Sequence, residues 1–330
     1  MNNTNFFLPR LLDTEDKKCS FKNRIRKNYQ HIKKWAKRTK TNCFRIYDRD
    51  IKEHPVAIDY YNGRFCVHVY SFSKQEETIP KKIEEEVTQT LISLFDCLPT
   101  QIYWKTRLKR DKTQQYEKIS SSNDFFIVQE YGVFFKINLT DYLDSGLFLD
   151  HRETRQIVAK ASKNKHVLNL FSYTCSFSIH AALHGAAYTK SVDMSNTYTA
   201  WGRENFLLNS IDLKTNEIIR EDCLKFLDKE RLSRNRYDII IIDPPTLSRS
   251  KKMEDFFDIH QDYEQMIRKA LLLLSSDGCI YFSTNSRKFR LDETLFSDCR
   301  VENISSRTIP IDFHDPKIHY CWKISIKKLF

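Results

Sequence analysis

The chain has 330 residues, a hydrophobic content of 41% and a formal net charge of +11 at pH 7. This length and hydrophobicity exclude a disordered chain and are sufficient for two domains with separate cores. The basic excess favours a polyanionic partner, because each phosphate that binds a cation releases counterions.

The nine cysteines are scattered, and no two of them form a Cys-x-x-Cys pair. This distribution argues against a disulfide framework or a zinc site and favours a reducing compartment. No apolar run reaches the length of a membrane span, and residues 1–10 lack the core of a signal peptide. We therefore expect a cytoplasmic protein without a bound metal.

Residues 1–20 are polar, and we expect a flexible N-terminus. Residues 21–40 predict an amphipathic helix, because apolar residues recur at helical spacing. This stretch carries nine cations and no acid. Such a density favours contact with RNA phosphates over a merely solvated helix face. The candidate RNA contacts are Lys22, Arg24, Arg26, Lys27, Lys33 and Lys34.

Residues 21–138 predict a small basic α/β domain that binds RNA. Strands are expected at 44–47, 56–60, 65–70, 101–105 and 125–138, with a helix at 80–95. The pair Asn62-Gly63 favours a hairpin turn between two of these strands. A second basic patch contains Lys105, Arg107 and Lys109. Its neighbours Tyr103, Trp104 and Tyr116 either stack on bases or belong to the core.

Residues 139–165 are interpreted as a linker and a capping helix. The helix is expected over 150–162, with Asp150 at a favoured N-cap position.

Residues 166–330 alternate short apolar strands with helices, which predicts a parallel sheet. Strands are expected at 167–171, 188–192, 216–220, 237–242 and 278–283, with later strands at 300–308 and 319–327. Helices are expected at 176–185, 196–209, 223–231 and 259–274. In such sheets ligands bind outside the carboxyl ends of the strands.

Three acids follow strand ends of this sheet. Asp193 lies 18 residues beyond Cys175, a distance that suits a carboxylate binding a ribose diol. Asp222 follows the third strand, where a carboxylate can accept from an adenine amino group. Each of these two acids can also be a helix N-cap, and the two roles are compatible.

The third acid begins the sequence Asp243-Pro244-Pro245, a rigid turn without amide donors at the prolines. The chain lacks the Gly-x-Gly-x-x-Gly turn that a nicotinamide dinucleotide requires. S-adenosylmethionine, which carries no phosphates, therefore fits better than a dinucleotide.

Ordered motifs carry a family resemblance from about Phe21 to the C-terminus. They are FKNRIRKNYQHIKKWAK, NLTDYLDSGLFLDHR, NLFSYTCS, SVDMSNTY, REDCLKFL and DPPTLSRSKKMEDFFDIHQDY. Together they resemble the RlmK type of 23S ribosomal RNA methyltransferase, usually the C-terminal half of a fused RlmKL protein. The resemblance implies a Rossmann-like, seven-stranded class I methyltransferase domain preceded by a small α/β RNA-binding domain. It implies methylation of guanine N7 at the family's site, guanine 2069, in 23S rRNA or a large-subunit assembly intermediate.

The resemblance also implies site residues. Asp243, Pro244 and Pro245 are the expected catalytic residues, and Arg152 is expected to pair with the methionine carboxylate of the cofactor. The expected cofactor-binding residues are Phe148, Asp150, Arg152, Asn169, Phe171, Tyr173, Thr174, Asp193, Met194, Asp222, Cys223 and Asp243.

Departures from the family pattern include Cys279, where a second glycine is expected before the fifth strand, and two positions nearer the expected site. Cys175 stands where the family has glycine, so a positive φ there would cost about 1 kcal/mol. Thr246 stands where many base-methylating enzymes carry an aromatic residue. We therefore expect the target base to contact other rings, such as Phe256, Phe257 or Tyr263.

Other activities stay open at this point. Cytosine C5 methylation needs a cysteine nucleophile, and the stretch 282–286 after the fifth strand has none. Guanine N7 already presents a lone pair and needs no general base. The remaining alternatives are guanine-N2 methylation and a non-catalytic ribosome assembly factor, which the departure at Cys175 motivates.

Overall fold

The computed structural model describes five stretches of the chain: residues 5–12, 19–70, 80–107, 120–248 and 257–327. The chain divides into two compact units. Unit 1 comprises Met1–Leu149 with Ile311–Asp315, and unit 2 comprises Asp150–Pro310 with Pro316–Phe330. The predicted assignment of RNA binding to 21–138 and of catalysis to 166–330 stays a prediction.

Unit 1 contains a four-stranded sheet. Its strands, in spatial order, are β1 (Cys43–Asp48), β2 (Val56–Tyr61), β3 (Arg64–Tyr70) and β4 (Ile102–Arg107). The first three strands are antiparallel, and β4 is parallel to β3. The tight turn between β2 and β3 has positive φ at Asn62 and Gly63, as the Asn-Gly pair predicts.

Two helices, α1 (Ser20–Arg38) and α2 (Lys81–Phe95), contribute side chains to the same core as this sheet. The buried stripe of α1 consists of Phe21, Ile25, Tyr29, Ile32 and Ala36, so the predicted amphipathic helix is confirmed. A hairpin of β5 (Phe125–Glu130) and β6 (Val133–Asn138) completes the strands of unit 1.

Arg45, Asp59 and His68 form a buried network of charged and polar side chains on the sheet of unit 1. The Arg45 guanidinium binds both oxygens of Asp59, at 2.7 and 3.2 Å, and His68 Nε2 lies 3.0 Å from the same carboxylate. Burial raises the pKa of Asp59, but Arg45 and His68 outweigh it and hold this pKa well below its ordinary value. Asp312 joins the network through the Arg45 backbone N–H at 2.8 Å.

Unit 2 contains a seven-stranded sheet and a separate short pair of strands, β11 (Leu247–Ser248) with β12 (Phe257–Asp258). The strands of the large sheet are β7 (His166–Leu170), β8 (Tyr188–Asp193), β9 (Asn216–Arg220), β10 (Tyr237–Ile242), β13 (Leu274–Thr284), β14 (Cys299–Asn303) and β15 (Tyr320–Ile326). Their spatial order is β14-β15-β13-β10-β7-β8-β9. β15 runs antiparallel to both of its neighbours, β13 and β14, and the other six strands of this sheet share one direction. The expected seven-stranded, Rossmann-like architecture is confirmed.

Helices cover both faces of this sheet. They are α3 (Arg152–Ala161), α4 (Ser176–Leu183), α5 (Asn196–Leu208), α6 (Cys223–Glu230), α7 (Ile259–Leu271) and α8 (Ser305–Thr308). Ile240 and Ile242 belong to one hydrophobic cluster, whereas Ile239 and Ile241 belong to another. The run of isoleucines is thus explained by a strand that is buried on both faces.

Two predicted elements were wrong in detail. The stretch 300–308 is not one strand: β14 ends at Asn303, whose Oδ1 accepts from the N–H and hydroxyl of Ser305, and α8 follows. The N-cap of α3 is His151 and not Asp150. The Asp150 carboxylate instead contacts His319 Nδ1 at 3.2 Å, a partner 169 residues away.

Among the described residues, no helix is long and apolar enough to cross a bilayer.

Candidate cofactor and active site

The loop after β7 carries an unusual backbone. Phe171, Tyr173 and Cys175 have φ of 53°, 50° and 65°, a region that side chains disfavour. The loop is tied to the neighbouring strand ends: the Phe171 N–H donates to Cys223 Sγ at 3.2 Å, and the Tyr173 N–H donates to Asp193 Oδ2 at 2.9 Å. These bonds hold the strained loop against the ends of β8 and β9.

Cys175 adopts a left-handed conformation with φ 65°, which glycine adopts without steric cost. Its side chain is accommodated by α5, where a Cβ built on Gly202 would lie 2.5 Å from Cys175 Sγ. Burial raises the pKa of the Cys175 thiol to about 12, so the group stays neutral and is not a thiolate nucleophile. The absence of a side chain at Gly202 thus provides the space for the side chain of Cys175.

Asp193 is the last residue of β8, and its carboxylate accepts hydrogen bonds from the backbone of two loops. Besides Tyr173, its carboxylate accepts from the Ser195 N–H at 2.8 Å through Oδ1. The N-cap of α5 is Ser195, so Asp193 does not cap that helix. Burial raises the pKa of Asp193 to about 6, although the N–H groups of Ser195 and Tyr173 oppose the rise. Each oxygen keeps a lone pair for a ligand hydroxyl.

Asp222 follows β9 and caps α6. Its Oδ1 accepts from the N–H groups of Leu224 and Lys225, at 2.8 and 3.1 Å. Among the described residues, no donor bonds to Oδ2, which stays available to a ligand amino group. The carboxylates of Asp193 and Asp222 at adjacent strand ends therefore fit the nucleoside part of S-adenosylmethionine.

Asp243 follows β10, whose register places it beside Ser283 of β13. The Ser283 hydroxyl donates to Asp243 Oδ1 at 2.7 Å, and His151 Nε2 lies 3.6 Å from Oδ2. Burial lowers the pKa of His151, which is therefore neutral near pH 7. The Asp243 carboxylate thus lies between a hydroxyl donor and a neutral imidazole ring.

Asp150, His151 and His319 form a cluster next to Asp243, and their ligand atoms all lie within 4.8 Å of one another. The Thr308 hydroxyl has a single proton, which it donates to the Ser305 carbonyl at 2.8 Å. His319 Nε2, 2.8 Å from Thr308 Oγ1, is therefore the donor in that pair. His319 Nδ1 then faces the Asp150 carboxylate, with 3.2 Å between Nδ1 and Oδ2. The expectation of no metal stays a prediction.

Several predicted cofactor residues have protein partners. The Asn169 amide is buried and donates to Ser178 Oγ at 3.0 Å, and the buried Thr174 carbonyl accepts from Asn205 at 3.2 Å. Arg152 is fully buried at the start of α3. Met194 is half-buried after β8, whereas Phe148 belongs to unit 1. Contacts of these five residues with the cofactor stay predictions.

Two of the aromatic residues expected to hold the base, Phe257 and Tyr263, do not lie in an open site. Phe257 is buried, and its ring centroid lies 5.8 Å from that of Phe171. Tyr263 is buried edge-on against Phe289, at 5.1 Å. These two expectations were wrong, because both rings complete the hydrophobic core of unit 2. Phe256 lies outside the described residues.

The residues after β13 form a part of the site that sequence reasoning did not single out. The Thr246 hydroxyl donates to Asn285 Oδ1 at 3.0 Å, which connects the ends of β10 and β13. Ser286 lies in the loop after β13, and its Oγ is 3.0 Å from Nε2 of His260 on α7. The available signal was the position of 283–286 directly after a buried strand adjacent to β10.

Comparisons with known proteins agree with this geometry. The family model of S-adenosylmethionine-dependent methyltransferases matches residues 50–316. Ribosomal RNA large subunit methyltransferase K of Neisseria meningitidis serogroup B is 43% identical over 310 residues, covering 93% of this chain and 87% of that protein.

A longer relative and a solved structure also match. Ribosomal RNA large subunit methyltransferase K/L of Shewanella sp. strain MR-4 is 44% identical over 96% of this chain. The chain spans 45% of that protein, about half its length. The crystal structure of SMU.776, a putative methyltransferase complexed with SAH, superposes with a TM-score of 0.71 at 26% identity, over 94% of this chain and 83% of that one. The chain therefore belongs to the family of S-adenosylmethionine-dependent methyltransferases, within the group of the K and K/L relatives.

Proposed function

We propose that this chain transfers a methyl group from S-adenosylmethionine to N7 of a guanine in 23S ribosomal RNA, at the family's site, guanine 2069. The observation that carries the proposal is the 43% identity, over most of both chains, to a relative named for large-subunit ribosomal RNA. We also propose that the protein acts in the cytoplasm, on free RNA or on a large-subunit assembly intermediate.

The site chemistry supports a reaction without covalent catalysis. When bound, S-adenosylmethionine supplies an electrophilic methyl group. Guanine N7 attacks with its own lone pair and loses no proton, so the protein needs mainly to align the reacting atoms. We propose that Asp193 binds the ribose hydroxyls, Asp222 the adenine, and Asp243 with Pro244 and Pro245 the reacting end of the site.

The end of β13 bears on cytosine C5 methylation. That reaction needs a thiolate, and Ser283, Thr284 and Asn285 stand there instead. The buried Cys223 and Cys321 have pKa values raised by burial and are not thiolates either. The residues around Asp243 thus favour a ring-nitrogen acceptor over a ring carbon.

The first test is incubation of the protein with unmodified, transcribed 23S rRNA and isotope-labelled cofactor, followed by nucleoside mass spectrometry. We expect 7-methylguanosine, and mapping by borohydride and aniline cleavage should locate it at one guanine. N2-methylguanosine or 5-methylcytidine as the sole product would exclude the proposal. Absence of product together with absence of S-adenosylhomocysteine binding would favour the non-catalytic assembly factor.

The exposed face of α1 supports an RNA surface in unit 1. Lys27 and Lys34 are exposed on the side opposite to the buried stripe of this helix, and Arg24 is exposed on the flank next to them. Lys22 and Arg26 are half-buried, and Lys33 is exposed on an adjacent side. Each lysine or arginine that contacts a phosphate adds to the affinity for RNA. Several of these side chains on one helix therefore form a surface for the RNA backbone.

The burial of Lys105 argues against its membership in the second basic patch. Lys105 is buried, and its ammonium group donates to the carbonyls of Tyr142 and Leu143 at 2.9 and 3.0 Å. We therefore do not retain Lys105 among the proposed RNA contacts. Arg107 ends β4, and Lys109 lies outside the described residues, so both stay predictions.

Replacing Arg24, Lys27 and Lys34 together by alanine is expected to weaken binding of an rRNA fragment. The loss should be largest at low salt, and the slope of log affinity against log salt should decrease by about two to three. Filter binding at several salt concentrations measures both quantities. The matched control replaces the exposed Lys52, Lys81 and Lys82 of the same unit, which changes the net charge equally. Equal losses in both triple variants would contradict a specific surface on α1.

A further inference from the structure

The loop that follows β13 lies beside the candidate catalytic turn. β10 and β13 are adjacent and parallel, with Ile242 opposite Phe282. The residues that follow each strand therefore run side by side, and the Ser283–Asp243 and Asn285–Thr246 hydrogen bonds connect them. Asn285 is exposed at this edge of the sheet, whereas the preceding Ser283 and Thr284 are buried.

The contact with Thr246 orients the Asn285 amide. Because the Thr246 hydroxyl donates to Oδ1, the Nδ2 group is directed away from Thr246 and keeps both of its protons. Among the described residues, no hydrogen bond from this Nδ2 group is formed. The strand ends thus present an oriented amide donor next to Asp243 and Pro245.

A guanine that is methylated on N7 must present its Hoogsteen edge to the cofactor. That edge carries two acceptors, N7 and O6, whereas adenine carries a donor in place of O6. The lone pair of N7 is consumed by the methyl transfer, so O6 is the acceptor left for recognition. An amide donor at the rim of the site is complementary to O6 and faces a donor in adenine.

We infer that Asn285 donates a hydrogen bond from Nδ2 to O6 of the target guanine and selects guanine over adenine. Thr246 is a positioning residue, which holds the amide in the donating orientation. Both roles rest on the proposed guanine-N7 activity. They also account for threonine after Pro245: the side chain here needs a hydroxyl for Asn285 instead of a ring for the base.

The same loop brings positive charge to this edge. Arg287, Lys288 and Arg290 follow Asn285 within five residues and are exposed. The Arg290 guanidinium is held by the carbonyls of Arg287 and Phe289, at 3.2 and 2.7 Å. A nucleotide whose base contacts Asn285 would therefore have its phosphates close to cations of one loop.

The test compares two RNA substrates, one with guanine at the target position and one with 2-aminopurine, which keeps N7 but lacks O6. Asn285→Ala should lower kcat/KM on the guanine substrate about 10- to 100-fold, the effect of losing one buried base contact. On the 2-aminopurine substrate, the wild type and the variant should react at rates within about twofold of each other. Binding of S-adenosylhomocysteine by the variant should be unchanged, which shows that its site is folded.

Thr246 provides a matched pair of variants. Thr246→Val keeps the shape and removes the hydroxyl, so it should reproduce part of the Asn285→Ala loss on guanine only. Thr246→Ser keeps the hydroxyl and should restore the wild-type preference for guanine over 2-aminopurine. Equal losses on both substrates, with 7-methylguanosine still formed by the wild type, would overturn the role of Asn285 alone. Failure of the wild type to form 7-methylguanosine would overturn the proposed function and this inference together.

Discussion

Replacing Asp193 by asparagine is expected to weaken binding of S-adenosylhomocysteine about 100-fold at pH 8. The carboxylate is proposed to accept from both ribose hydroxyls, and bonds to a charged acceptor contribute about 1.5–3 kcal/mol each. The amide retains one oxygen acceptor, which is positioned by the same loop, so a partial loss is expected. Isothermal titration calorimetry measures the affinity directly.

The same residue predicts a pH dependence. Burial raises the pKa of Asp193 to about 6, and only the charged carboxylate accepts from both hydroxyls. The affinity should be constant above the pKa and should fall about tenfold per pH unit below it. The sign follows from the ligand preferring the deprotonated form, so that protonation competes with binding.

The control for this pH dependence is the asparagine variant, which has no proton to lose at this position. Its affinity should be low and flat between about pH 5 and pH 8. A decline of the same slope in both proteins would assign the titration to another group, such as His151. Constant affinity of the wild type over this range would contradict ribose binding by the Asp193 carboxylate.

The second large effect concerns stability. Gly202→Ala places a Cβ 2.5 Å from Cys175 Sγ and 3.3 Å from Cys175 Cβ. Because both residues are buried, the overpacking should lower the free energy of unfolding by about 1–3 kcal/mol. This loss occurs even though alanine is preferred over glycine in a helix interior by about 1 kcal/mol. Urea unfolding followed by circular dichroism measures the change.

The double variant Cys175→Gly/Gly202→Ala should recover this stability. Of the three atoms nearest to a Cβ at position 202, only the Thr174 carbonyl carbon remains when the cysteine side chain is removed. It lies 3.4 Å from that Cβ, an ordinary contact distance. Glycine also relieves the positive φ of 65° at position 175. The coupling free energy between the two sites should therefore be about 2 kcal/mol and favourable. Strictly additive effects would show that the two residues do not share one packing space.

This pair of residues also bears on the non-catalytic alternative. That hypothesis was motivated by the cysteine in a glycine position. The structure retains the left-handed loop, and the space for the sulfur is provided by Gly202 on α5. If the double variant binds S-adenosylhomocysteine as the wild type does, the departure from the family pattern is compensated by packing and does not require a loss of activity.

The element order and the strand-end acids could be predicted from the sequence, because these features depend on local information. Apolar periodicity marks α1, and continuous isoleucines mark a strand buried on both faces, as β10 is. Asp193 is the last residue of β8, Asp222 lies two residues after β9 and Asp243 directly follows β10, so the chain order already places them at one edge of a parallel sheet. The N-cap role of Asp222 needed only its own neighbours in the chain.

Partners that are distant in the chain were decided by the tertiary structure alone. Lys105 and Tyr263 have surface-like or site-like sequence contexts, yet packing against remote segments buries both. The Thr246–Asn285 bond spans 39 residues and exists because β10 and β13 are neighbours in the sheet. Side-chain partners of this kind depend on strand order and register, which no local pattern specifies. The sequence therefore determined which residues reach the edge of the sheet, and the packing of its strands and helices determined which of them meet there.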